Sequence, residues 1–121
     1  MSNEKQFAVW MDLHHATILG KTEAGEFTVI EHVKGEATTQ NSSEKNAHNH
    51  ERMAQAKFFK EITSHMQNAT DIHLTGTGTA QEQFIKYLAD TPQFKNTKTA
   101  ESTSNKMSDE RLIEFISGKM N

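Results

Sequence analysis

The chain has no cysteine, few hydrophobic residues for its length and no surplus of basic charge. Without cysteine there is no disulfide, no thiolate metal site and no Cys nucleophile, which fits a reducing compartment. A hydrophobic share of 34% predicts a modest core and a very polar surface. No apolar run approaches the roughly 20 residues that a membrane helix needs. The N-terminal MSNEKQ lacks a basic segment followed by an apolar one, so no signal peptide is expected. Thirteen Lys and Arg against sixteen Asp and Glu give a formal net charge of −3, so any nucleic-acid contact must be a local patch. These absences predict a soluble, cytoplasmic protein without a membrane partner, and 121 residues suffice for one domain.

What is present reads as strands followed by alternating helices and strands. Residues 7–12, FAVWMD, and 16–21, ATILGK, are short runs of strand formers joined by a tight connection, which predicts a hairpin. A Gly-containing turn leads to a third strand at 26–33, with Phe27, Val29 and Glu31 on one face and Thr28, Ile30 and His32 on the other. Short links between three strands make an antiparallel meander. At 46–67 the period changes: Ala54, Phe58, Ile62 and Met66 recur every four residues, Ala47 and Phe59 widen the stripe, and Asn68 suits the helix end. DIHLT at 71–75 is a strand, TGTGT a turn, and QEQFIKYLAD at 81–90 a helix with Phe84, Tyr87 and Leu88 inward and Pro92 as a stop. Residues 95–103 alternate weakly and leave an edge strand and a loop both open. Ser108 caps a last helix, docked by Leu112, Ile113, Phe115 and Ile116 and ended by Gly118. The order βββαβαβα predicts an α/β fold: a ribonuclease-H-like, mixed five-stranded sheet with helices on its faces.

Three motifs invite a chemical reading. Asp12 closes the first strand, and with Glu51 and Asp109 it is the set that a metal-dependent nuclease would use. That chemistry needs converging carboxylates, yet the fourth strand runs into HLTGTGT without one, so the reading of Asp12 as a turn residue is favoured. The seven histidines include His48 and His50 but no zinc-ligand spacing, so no metal and no other cofactor is expected. Gly76, Thr77 and Gly78 precede a helix and are anion-binding candidates, because backbone N–H groups converge at a helix start. They lack the third glycine of a dinucleotide fingerprint and the Lys-Ser/Thr of a phosphate loop, so the reading as a tight turn with close helix packing is favoured. Residues 34–50, containing TTQNSSEKNAHNH, read as a mobile polar loop of mixed charge; loops this long tend to be functional or disordered.

The run AVWMDLHHATIL, then EFTVIEHV, a polar loop, a long helix and IHLTGTGTAQEQFIKYL resembles the middle domain of the peptide-chain release factor and pelota families. It looks closer still to their reduced bacterial relatives, including the host-attachment proteins. The resemblance rests on the hydrophobic-Asp-x-x-x-Ala run from Val9 to Ala16, the Thr75-Gly76-Thr77-Gly78 turn and the Gln83-Phe84 helix start, and spans residues 7–118. In release factors the loop after the third strand carries Gly-Gly-Gln. Here Gly35 and Gln40 are separated by Glu-Ala-Thr-Thr, so the catalytic glutamine role does not carry over.

The resemblance therefore implies a non-catalytic, translation-associated protein that binds the ribosome or ribosomal RNA, as a stress or hibernation factor. Lys34, Gln40, Lys45, His48, His50 and Arg52 are its candidate contacts. A protein-interaction module, pairing through an exposed edge at 95–103 with a partner or as a homodimer, is a further reading beside the nuclease. No catalytic residue is assigned, and a binding protein is expected over an enzyme.

Overall fold

A computed structural model describes residues 5–12, 14–35 and 55–120. The elements are β1 (Gln6–Met11), β2 (His15–Lys21), β3 (Phe27–Lys34), helix α1 (55–64), β4 (Asp71–Gly76), α2 (Thr79–Ala89), a 3-10 turn (Pro92–Phe94), β5 (Lys98–Thr103) and α3 (Asp109–Met120). The sheet order is β3-β2-β1-β4-β5. β1 pairs antiparallel with β2 and β2 with β3, while β1–β4 and β4–β5 are parallel. This is the mixed five-stranded, ribonuclease-H-like sheet that the alternation of elements predicts.

Both faces of the sheet are covered, so the central strands β1 and β4 are buried along most of their length. Val9 and Met11 of β1, Ile18 of β2 and Ile72 and Leu74 of β4 are buried against Phe58, Phe59 and Ile62 of α1 and Phe84 and Leu88 of α2. Phe59 meets the Phe84 ring edge-on, with centroids 5.1 Å apart. On the other face Ala8, Trp10, Leu19 and Phe27 are buried with Leu112 and Ile116 of α3. Each large side chain buried in this way stabilises the fold by roughly 1.5–3 kcal/mol.

Four expectations shift. The long helix expected at 46–67 is helical at 55–64 and turns at 65–68, with Asn68 at φ 63°; residues 46–54 lie outside the described ones. The helix expected from residue 81 begins two residues earlier, at Thr79. Gly118 does not end α3, which runs on to Met120. The third strand does not keep one face throughout. Ile18 pairs with Glu31 but Leu19 with Val29, so Ile30 is an extra residue in β3. This bulge sends Phe27 and Val29 to the α3 side and Val33 to the other, and it leaves Ile30 44% exposed. The segment left open at 95–103 is strand over Lys98–Thr103, at the sheet edge and mostly exposed.

Beyond the apolar patch on the α3 face, β4 and β5 share a polar strip. His73 Nε2 lies 2.8 Å from Ser102 Oγ, and Thr75 Oγ1 lies 2.7 Å from Ser104 Oγ. His73 is only 7% exposed. Burial, aided by the positive charge of Lys119, lowers its pKa below the usual histidine value. The folded state therefore binds fewer protons at this site than the unfolded state. Its stabilising contribution is complete above the unfolded pKa and is lost as pH falls through the folded one. The urea midpoint is expected to rise from mildly acidic to neutral pH, and His73→Gln should flatten that rise. An unchanged profile in the variant would count against this account.

Candidate functional site

β2 is antiparallel to both its neighbours and β4 and β5 run parallel to β1, so β1, β3, β4 and β5 all finish at the same end of the sheet. Ligands of open α/β sheets bind beyond the carboxyl ends of the strands. Asp12 follows β1 there, Lys34 ends β3, Gly76 ends β4 with Thr77 and Gly78 after it, and residues 104–108 lead from β5 to α3. The segment expected to carry the ribosome or RNA contacts departs from this end. Lys34 is exposed and pairs across the sheet with His15, and the Gly35 N–H donates to the His14 carbonyl at 2.7 Å. Gln40, Lys45, His48, His50 and Arg52, and with them the rest of the expected loop from residue 36, lie outside the described residues.

Asp12 is engaged locally. Its Oδ1 accepts the N–H of His14 at 2.8 Å and of His15 at 2.6 Å, and the His15 ring Nδ1 is 3.3 Å away. Burial, the largest single influence, pushes the carboxyl pKa up, but these two backbone hydrogen bonds and His15 outweigh it, so the pKa is lowered. The carboxylate holds the β1–β2 connection in shape, as a short polar side chain does in a turn. Asp109 sits at the start of α3, where its Oδ2 is 3.0 Å from His32 Nε2. His32 reaches α3 because the bulge has reversed the end of β3. Glu51 lies outside the described residues. Among the described residues no three His, Asp or Glu side chains cluster as a metal would require.

The turn after β4 is shaped by close approach. A Cβ on Gly76 would stand 2.0 Å from the carbonyl oxygen of Met11 on the neighbouring strand. Gly78 has φ +122°, a conformation that side-chain-bearing residues rarely adopt. It caps α2, and its N–H donates to Gln81 Oε1 at 2.8 Å. Gln81 is fully buried, and its Nε2 donates to the Ser102 carbonyl at 3.0 Å. One of the N–H groups that an anion would use is thus already engaged by the protein's own amide. Sequence reasoning did not single out Gln81. The available signal is a Gln three residues after the cap, the N3 position of a capping box, which becomes visible only when the helix start is placed at Thr79.

No known family profile and no curated protein matches the chain. Solved structures do match in fold. The Pelota protein of Thermoplasma acidophilum superposes with a TM-score of 0.64 at 21% identity, over 93% of this chain and 32% of that one. An archaeal translation termination factor, aRF1, gives 0.62 at 14% identity, over 96% and 35%. Archaeoglobus fulgidus Pelota gives 0.58 at 13% identity, over 98% and 34%. At these identities the likeness is one of fold. The chain thus shares its fold with about one third of a Pelota or archaeal termination-factor chain.

Proposed function

We propose that the chain is a non-catalytic, translation-associated protein that binds the ribosome or RNA from the carboxyl end of its sheet. The observation that carries this reading is the fold match to a Pelota protein and a translation termination factor over more than nine-tenths of the chain. The route of the backbone supports it. Lys34 and Gly35 launch the polar segment containing Gln40, Lys45, His48, His50 and Arg52 from the end of the sheet where α/β folds place ligands. The Gly-Gly-Gln sequence is absent from that segment, so the role is binding without hydrolysis, in the cytoplasm and under stress or hibernation conditions.

The test compares ribosome pellets from native lysates holding either the intact protein or a version with residues 36–46 replaced by a Gly-Ser linker. The intact protein is expected to co-sediment and the replaced one to remain in the supernatant. Absence of both from the pellet, in growing and stationary cells alike, discards the reading. Because phosphate contacts are screened by salt, capture should also weaken as ionic strength rises.

A further inference from the structure

The link after β5 and the first turns of α3 line an open groove of about 480 Å³, formed by Asn105, Lys106, Met107, Arg111, Glu114 and Phe115. That volume falls among small-ligand pockets, which span roughly 300–1,000 Å³. Met107 and Phe115 are half-buried and pack on the α3-side core, so the apolar wall is held in place. Lys106 and Arg111 are exposed, and among the described residues neither side chain forms an ion pair or hydrogen bond. Lys119 Nζ stands 5.4 Å from the centroid of the Phe115 ring. Arg111, Phe115 and Lys119 follow one another at four-residue spacing, so they share a helix face. A chain of net negative charge therefore sets a cation–aromatic–cation stripe beside a further lysine, with Glu114 the one carboxylate lining the cleft.

We propose that this cleft binds a nucleotide. The lining asks for an anionic group, a flat apolar face and hydrogen-bonding edges in one ligand. A phosphate answers the unpaired Arg111 and Lys106, Arg111 with a planar fork suited to it. A base lies against Phe115 and Met107, and aromatic side chains take any base by its π-face. The Asn105 amide pairs with a base edge, and Glu114 accepts from a ribose hydroxyl or an exocyclic amine. An acidic peptide brings anions but no flat face of its own for Phe115 and Met107, and an acyl chain brings no anion for Arg111 and Lys106. The same chemistry is presented by a free nucleotide and by one unit of single-stranded RNA. None of the residues lining the cleft belongs to 34–52, and the proposal does not depend on the ribosome reading.

The intact protein is titrated by calorimetry with AMP and ADP, and by fluorescence anisotropy with a short labelled single-stranded RNA. Inorganic pyrophosphate is the anion control. Saturable binding is expected, weakened about tenfold by Arg111→Gln and by Lys106→Gln, since each removes a charged hydrogen-bond partner. Both substituted residues are exposed, so the fold is retained, as circular dichroism checks. Lys86→Gln, on α2 across the sheet, should leave affinity unchanged. Binding of mononucleotide and RNA alike, or of either alone, supports the proposal, and the arm that responds identifies the source. No saturable binding in either arm overturns it. So does affinity indifferent to Arg111→Gln and Lys106→Gln, and so does pyrophosphate binding as tightly as the nucleotide.

Discussion

Gly76→Ala is expected to lower the unfolding free energy by about 3 kcal/mol, because overpacking at an unyielding contact falls at the upper end of its usual range. The obstacle is the carbonyl of Met11, 2.0 Å from where the new carbon would sit. Met11 and Gly76 are paired in the parallel β1–β4 ladder, so relief would require the two central strands to part. Those strands carry Val9, Ile72 and Leu74, which are buried against both helices of one face. Gly118→Ala is the matched control. A Cβ there meets nothing within 4 Å, and in a helix the change should stabilise by about 0.5–1 kcal/mol. Urea denaturation of the two variants beside the parent gives the comparison. Equal stability of Gly76→Ala and the parent would mean that the strands are not packed as described.

Gln81→Leu is expected to cost about 2–4 kcal/mol although it keeps a similar volume in the core. The amide accepts from the Gly78 N–H and donates to the Ser102 carbonyl, and leucine leaves both backbone groups unsatisfied, each at about 1–3 kcal/mol. Gln81→Glu separates the two halves of this role. Its carboxylate can still accept from Gly78 but cannot donate to Ser102, and it is charged in a fully buried position. The glutamate variant should therefore regain stability as pH falls and its carboxyl becomes protonated, while the leucine variant should not. Chemical denaturation at neutral and acidic pH reads this out. Identical pH profiles for the two variants would remove Gln81 from its bridging role between α2 and β5.

Much of the architecture was legible in local pattern. Ser108 as a cap is matched by its hydroxyl oxygen accepting the Arg111 N–H at 3.3 Å. Among the described side chains of α3, Leu112 and Ile116, spaced four apart, are the buried ones. Phe58 and Ile62 form the expected helical stripe and Met66 continues it in the turn that follows, all buried, while Ala54 lies outside the described residues. Asp12 hydrogen-bonds its own turn, as a short carboxylate followed by two further loop residues can. In each case the informative partners lie within a few residues, where helical and turn geometry is set by short-range sterics and hydrogen bonding.

By itself, then, the sequence determined most of the segments that become strands or helices, how several of them begin, and that strands and helices alternate after the meander. Tertiary structure decided the rest. The bulge at Ile30 depends on the register with Ile18 and Leu19 of another strand, and it alone turns His32 toward Asp109. β5 is too polar to announce burial, and its identity as a strand comes from the ladder that β4 offers it. The requirement for glycine at 76 comes from the Met11 carbonyl, and the role of Gln81 from Ser102, both far away in the chain. The Arg111–Phe115–Lys119 spacing stands in the sequence, but the cleft exists only where Asn105, Lys106 and Met107 come beside it. The division has one physical reason. Periodicity and capping act between near neighbours, whereas register, close approach and enclosure are settled between segments whose separation in sequence carries no record of their distance in space.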